Sequence, residues 1–156
     1  LQPAPVNLTE HEYRTDLLAD ILYNGVYGSS MPGWRDHSPA QLAALIQVVQ
    51  SFSRIEPFIG NSSTAFGAEI FQTHCAECHG EAGDGNGFAI ANLPIPIPPT
   101  DFTRERLSMA ASLRVLNKGI AGTTMVPWGD RLSDAEIMAV AGYLQTLYEP
   151  ETGAGE

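Results

Sequence analysis

The spacing of hydrophobic residues predicts a helical chain that a long loop interrupts. Apolar positions recur at three- and four-residue intervals in several segments, and a capping residue, a glycine or a proline bounds each segment. Strand-like alternation is absent, so the pattern predicts an all-α fold. The predicted helices run from about Glu10 to Asn24, from Ser38 to near Glu56, from Thr64 to His74, from about Leu107 to Lys118 and from Ser133 to about Leu147.

Glycine and proline mark the breaks between these helices. Residues 58–63 hold a glycine, an asparagine and two serines, which is typical of a linker. Residues 79–100 contain spaced glycines and the proline-rich run from Leu93 to Pro99, which excludes a helix or a central strand there. We therefore expect a half-unit over residues 1–57, a linker over 58–63, a complete unit over 64–150 and a flexible tail over 151–156.

One segment occurs twice. Residues 25–34 align without gaps with residues 119–128, at an offset of 94 positions, and match at two glycines, a methionine and a tryptophan. The predicted helix caps Ser38 and Ser133 follow with one residue of slippage. We interpret this as an internal duplication. The position corresponding to Cys75 in the first copy would precede the first residue, so that copy lacks the half that would carry cysteines.

Composition limits the classes of function. The 156 residues are 44% hydrophobic and 17% charged, which predicts a soluble globular protein of one domain or two small ones. The net charge of -10 would repel nucleic acid and anionic lipid. No apolar run has the length of a membrane-spanning helix. Nucleic-acid binding and a membrane span are therefore not expected.

The two cysteines form one motif. Cys75 and Cys78 are separated by two residues and followed by His79, which gives the C-x-x-C-H signal of c-type haem attachment. Each thiol can add to a haem vinyl group as a thioether, and the histidine then faces the iron. A zinc site would need about four ligands and would have to recruit distant histidines. A thioredoxin-like dithiol would need a βαβ context, which this pattern does not offer.

The sequence from Phe66 to Gly80, followed by the glycine- and proline-rich loop, a glycine–methionine segment and an amphipathic final helix, resembles class I c-type cytochromes. The resemblance covers residues 64 to about 149. Residues 9 to about 56 resemble the C-terminal half of a second such domain, as in diheme cytochromes c. It implies a cytochrome c fold, a helical shell around one haem c in which the first and last helices cross. At that crossing it implies contacts among Gly67, Phe71, Tyr143 and Leu144.

His79 is the expected proximal iron ligand, and the second axial ligand must come from elsewhere in the chain. Met125 is the candidate, because it lies on a loop that glycines allow to turn and that a proline stiffens. Met109 and Met138 lie within helical patterns and fit core packing better. A histidine–methionine pair favours ferrous iron and fills both axial positions, which favours electron transfer over catalysis.

Two further contacts with the haem are expected. The resemblance implies that the proximal histidine donates its other N–H to a proline carbonyl, and Pro94, Pro96 or Pro98 could accept it. Trp128 either packs in the core or donates its indole N–H to a haem propionate. His74 is expected to be a surface residue.

Met31 occupies, by the repeat, the axial-ligand position of a first haem whose attachment motif is absent from the sequence. Three interpretations stay open. The chain is the C-terminal part of a longer diheme protein, or the first unit has lost its haem and caps the second. In the third, another chain supplies the missing half and a haem that Met31 completes.

These features predict a periplasmic electron carrier, or one in an equivalent extracytoplasmic compartment, where haem attachment takes place. We expect outer-sphere transfer to redox partners. Glu77, Glu81 and Asp84 lie near the attachment motif and either steer a partner with a basic docking surface or form a solvated surface. One alternative is a cytochrome module or subunit of a larger respiratory oxidoreductase complex, with residues 1–57 as an assembly surface. The other is a catalytic haem whose methionine ligand detaches.

Overall fold

The computed structural model describes residues 3–55, 64–92 and 97–151, and the chain is mainly helical in these ranges, as predicted. Within them, no helix has both the length and the apolar character needed to cross a membrane. The predicted linker and Pro94 and Pro96 lie outside the described residues. The helices are α1 Thr15–Asn24, α2 Pro39–Ser51, α3 Thr64–His74, α4 Ala76–His79, α5 Met109–Lys118 and α6 Asp134–Leu147. The remaining elements are the strands β1 His11–Tyr13 and β2 Glu105–Leu107 and the 3-10 turns Leu8–Glu10 and Phe88–Asn92.

The prediction that strands are absent was wrong. β1 pairs antiparallel with β2, with Glu12 opposite Arg106. The first helix therefore begins at Thr15 rather than near Glu10, and Leu107 ends a strand instead of starting a helix. Each strand has 3 residues, which is too short for alternation to be visible in the sequence.

The predicted caps of the later helices are confirmed. The Ser38 hydroxyl accepts from the backbone N–H of Gln41, and Ser133 forms the same capping box at α6. α2 ends at Ser51, earlier than the predicted end near Glu56, which lies outside the described residues. The chain turns away because the Arg54 N–H donates to the Thr9 carbonyl at 2.9 Å.

The crossing of α3 and α6 forms the centre of the larger core. Phe71 is fully buried, and its ring centroid lies 5.4 Å from that of Tyr143. Gly67 allows the close approach, because an added Cβ would overlap the Ala139 carbonyl and lie 2.8 Å from the Cβ of Tyr143. The contacts of Gly67 and Phe71 with α6 that the resemblance implied are therefore present.

The two repeated loops have the same hydrogen bonds. In each, the N–H after the first glycine donates to the methionine carbonyl, at 3.1 Å for Met31 and 2.9 Å for Met125. In each, the tryptophan N–H donates to a carbonyl of the preceding helix at 2.8 Å. The first glycine of each loop has a positive φ, 74° at Gly25 and 65° at Gly119, which favours glycine.

The first unit, residues 3–55, and the second unit, residues 64–92 and 97–151, bond to each other in matched pairs. The Arg14 N–H donates to the Arg104 carbonyl at 2.9 Å, and the Ser108 N–H donates to the Glu10 carbonyl at 2.7 Å. With the offset of 94 positions, Glu10 corresponds to Arg104 and Arg14 corresponds to Ser108. The two bonds are therefore copies of each other. We call β1, β2 and these flanking bonds the seam, and it has a local two-fold relation.

The close helix crossing gives a stability prediction. Gly67→Ala should lower the free energy of unfolding by about 1–3 kcal/mol, because the new methyl group would push α3 away from α6. Urea unfolding followed by circular dichroism measures the change. Glu69→Ala, on the exposed side of α3, is the control and should stay within about 0.5 kcal/mol of the parent. A Gly67→Ala variant as stable as the control would contradict the assigned crossing.

Candidate haem-attachment site

The two cysteines lie at the junction of α3 and α4. α3 ends at His74, and the Cys75 carbonyl then accepts from the N–H groups of Cys78 at 3.1 Å and His79 at 2.9 Å. The motif is therefore wound into one helical turn, which Gly80 ends with φ 79°. Both thiols are free and partly buried. The helical turn brings the two sulfur atoms and the imidazole into one small region.

Burial raises the pKa of both thiols. It raises the pKa of Cys75 to about 11, with a further contribution from neighbouring Cys78. Burial, followed by the charge of Glu77, also raises the pKa of Cys78. Zinc binding and dithiol redox chemistry both use thiolates. The described ranges also hold no cluster of three or more histidine, cysteine, aspartate or glutamate residues suited to a metal ion. The raised pKa values favour the thiol over the thiolate in the metal-free protein, which disfavours a reactive dithiol.

His79 is held in a single tautomer. Its Nδ1 lies 3.2 Å from the carbonyl oxygen of Thr100, and since a carbonyl only accepts, Nδ1 carries the proton. Nε2 therefore keeps its lone pair. Burial lowers the pKa of His79, although the Thr100 carbonyl acts in the opposite direction. A neutral imidazole with a free Nε2 is the form that binds iron.

Among the described residues, the hydrogen-bond acceptor of His79 is the carbonyl of Thr100. Of the three expected prolines, Pro98 is exposed, and Pro94 and Pro96 lie outside the described residues. The glycine loop explains the contact with Thr100, because the Gly85 N–H donates to the His79 carbonyl at 2.8 Å. An added Cβ at Gly85 would lie 3.0 Å from the Pro99 carbonyl oxygen, so the loop packs directly on the backbone beside Thr100. No pattern in the sequence pointed to Thr100.

Met125 and Cys75 pack against the same core. Both are partly buried and contact the cluster that contains Phe71 and Phe102. The ring of Phe102 also lies 4.9 Å from that of His79, between centroids. The structure thus brings the attachment motif and the candidate axial methionine to one core.

The other predicted residues have mixed outcomes. Met109 packs on this core, but Met138 is 51% exposed, so its assignment to the core was wrong; it lies on the solvent side of α6. Trp128 is partly buried, with its ring 5.4 Å from that of His74 and 5.5 Å from the Arg131 guanidinium. His74 is exposed, as predicted.

The residues present fit a haem c. Two protonated thiols one turn apart are suited to thioether formation, and His79 and Met125 offer a nitrogen and a thioether as axial ligands. Gly87 closes the loop over this turn, because its N–H donates to the Cys78 carbonyl at 3.2 Å. An added Cβ there would overlap the backbone of Glu77 and Cys78.

Met31 lies in a different environment from its counterpart. Its exposed fraction is 36%, and that of Trp34 is 41%. Leu45, Val48 and Phe52 on the same side of the repeat are also exposed. Their counterparts in the second unit are Val140, Tyr143 and Leu147, which belong to or pack against the core around α3. The first unit therefore presents an apolar face where the second unit has α3.

Comparison with known proteins supports a cytochrome. The profile of the family described as "Cytochrome C oxidase, cbb3-type, subunit III" matches residues 62–144, slightly more than half of the chain. The chain is 35% identical over 112 residues to the cbb3-type cytochrome c oxidase subunit FixP of Azorhizobium caulinodans, covering 70% of this chain. It spans 36% of the length of that relative. Among solved structures, a chain of the reducing HAO-like protein complex of Kuenenia stuttgartiensis has a similar fold, with a TM-score of 0.54 and 24% identity over 96% of this chain and 84% of that one.

Proposed function

Because this chain belongs to the cbb3-type cytochrome c oxidase subunit III family, and is thus a c-type cytochrome, we propose that it transfers single electrons through one haem c bound to Cys75 and Cys78. The observation that carries the proposal is the state of His79. A carbonyl acceptor on Nδ1 leaves Nε2 as the electron-pair donor, directly after two protonated thiols. When bound, haem c supplies an iron that gains and loses one electron.

With haem bound, the side chains around the motif would close the site to other chemistry. His79 would hold one side of the iron, and Met125, on the same core as Cys75, would hold the other. No position would then be left for a substrate, which favours an electron carrier over an enzyme with a labile methionine. Phe102 is buried beside the His79 ring and Phe71 is fully buried, so both would help to keep water away from the histidine.

We also propose a compartment and an assembly, which the names of the relatives support. FixP is named as an oxidase subunit, and the Kuenenia chain belongs to a multiprotein complex. We place this chain in the periplasm or an equivalent compartment, as an electron-transfer module of a respiratory complex. The first unit would then provide an assembly surface, in agreement with its exposed Leu45, Val48 and Phe52.

Charge favours a basic redox partner. No lysine or arginine occurs between Arg54 and Arg104, a stretch that contains the whole attachment motif. Glu77 and Glu81 are exposed there. Elsewhere, near the seam, arginines are paired with carboxylates, as in Arg106 with Glu12 and Arg114 with Glu10. Arg131, whose guanidinium lies over the Trp128 ring beside His74, adds one positive charge on that side. The excess of acidic charge in this stretch would still attract a positively charged surface.

For the first unit we favour the interpretation that a preceding half-domain completes it. The exposed apolar face of α2 corresponds to the face of α6 that receives α3, so a helix like α3 would cover it. Met31 would then be the axial ligand of a second haem. The alternatives are that the first unit has lost that haem or that another chain supplies it. Counting haems distinguishes them.

Counting haems tests the main proposal. Pyridine haemochrome analysis with intact mass measurement should give one covalent haem for the 156-residue chain, and none for Cys75→Ala/Cys78→Ala. Cys75→Ser alone keeps one thioether and is the matched intermediate. Matured protein that is colourless would refute the haem assignment. A larger native polypeptide with two haems would support the diheme interpretation of the first unit.

Substitution of the two repeat methionines tests the axial ligand. Met125→Ala should abolish the near-infrared methionine-to-iron band of the oxidised protein and let the reduced protein bind carbon monoxide, because one axial position opens. Met31→Ala is the control and should change neither spectrum in the 156-residue chain. If Met125→Ala kept the band and still excluded carbon monoxide, another residue would be the ligand.

Electron exchange with small charged reagents tests the acidic surface. Reduction of a cationic cobalt or ruthenium complex should slow as salt rises, since screening acts within about 8 Å at physiological ionic strength. Glu77→Gln/Glu81→Gln should lower the low-salt rate severalfold. The control, Asp36→Asn, removes an exposed carboxylate from the first unit and should leave the rate nearly unchanged. Equal rates for cationic and anionic reagents would argue against electrostatic steering.

A further inference from the structure

The turn that follows Thr100 is held by one carboxylate. An oxygen of Asp101 accepts from the backbone N–H of Thr103 at 3.0 Å and from its hydroxyl at 2.6 Å. The other oxygen accepts from Nε of Arg104 at 2.6 Å. The Asp101 carbonyl also accepts from the Glu105 N–H at 2.9 Å. These bonds fix the peptide that joins Thr100 to Asp101, and so they fix the carbonyl that accepts from His79.

Arg104 also ties this turn to the first unit. Its Nη1 lies 3.3 Å from an oxygen of Asp20 and 3.8 Å from one of Asp16, both on α1. Its carbonyl accepts from the Arg14 N–H at 2.9 Å. One side chain thus spans from α1 to Asp101, and Asp101 adjoins the residue that orients the proximal histidine.

We propose that Arg104 is a positioning residue through which the first unit holds the Asp101 turn and thereby sets the hydrogen bond from His79 to Thr100. The proposal rests on His79 being an iron ligand, as proposed above. It gives the first unit a role on the proximal side of the second unit's haem that does not depend on a haem of its own.

The expected direction follows from ligand chemistry. The hydrogen bond from Nδ1 to a carbonyl increases the basicity of the imidazole and so favours ferric iron. A looser Asp101 turn weakens that bond, and the reduction potential should rise. A simple loss of positive charge would lower the potential, so variants that conserve charge separate the two effects.

Two variants conserve charge, and each removes or weakens one contact with the Asp101 carboxylate. Arg104→Lys replaces a planar guanidinium that contacts both Asp101 and Asp20 with a single ammonium, which cannot repeat both contacts. Thr103→Val removes the hydroxyl donor. In the haem-loaded protein each variant should shift the reduction equilibrium toward ferrous iron by about threefold. This is the change in equilibrium constant expected when one hydrogen bond is weakened. Redox titration measures this shift, and proton NMR of the His79 Nδ1–H should show faster exchange with solvent.

Arg114→Lys is the matched control. Arg114 pairs with Glu10 across the same two units at 2.7 Å but does not contact the Asp101 turn. Its potential and its His79 exchange rate should equal those of the parent. Potentials unchanged in both test variants, in protein that retains haem and the methionine band, would overturn the positioning role. An equal shift in Arg114→Lys would also overturn it. Failure to attach haem in the parent would instead refute the proposed function.

Discussion

The close contact of α3 with α6 at Gly67 is the constraint on which the site depends. The helix axis of α3 can approach α6 only where a side chain is missing, and Phe71 then fills the space one turn later. α3 ends at His74, immediately before the attachment motif, so the crossing sets the position of Cys75. The final helix therefore determines where the motif lies, although it contributes none of its residues.

The two units have the same loop and helix structure, but its surroundings differ between them. Both have a glycine-initiated loop whose hydrogen bonds present a methionine after a helix, and both continue into a capped helix. In the second unit that helix is covered by α3, and the methionine packs on a core. In the first unit, the corresponding face of α2 and Met31 are both exposed. The loop geometry thus forms without a covering helix, which means that local bonds rather than burial define it.

Sequence alone predicted what local rules control. The C-x-x-C-H motif, the caps Ser38 and Ser133 and the helix over Thr64–His74 each depend on neighbouring residues, as does the glycine-bounded loop that made Met125 the candidate ligand. The strands were missed because three-residue segments gain stability only from partners 92 to 96 positions away. The Thr100 acceptor was missed because any residue supplies a carbonyl, and only the packing of the Gly85 loop selects one. The burial that raises the pKa of both thiols also depends on tertiary contacts.

The strand pair has a consequence for how such a protein can assemble. Positions 12 and 106 are copies of one another, yet one is glutamate and the other arginine, and they face each other. His11 and Glu105 are also copies of one another; they are diagonal neighbours in the strand pair, where His11 lies opposite Leu107, and their Nδ1 and Oε1 atoms are 2.5 Å apart. In a pairing of two identical units the central position would meet itself, and like charges opposite one another destabilise a strand pair. The divergence of the two copies thus favours association within one polypeptide and disfavours self-association of either half.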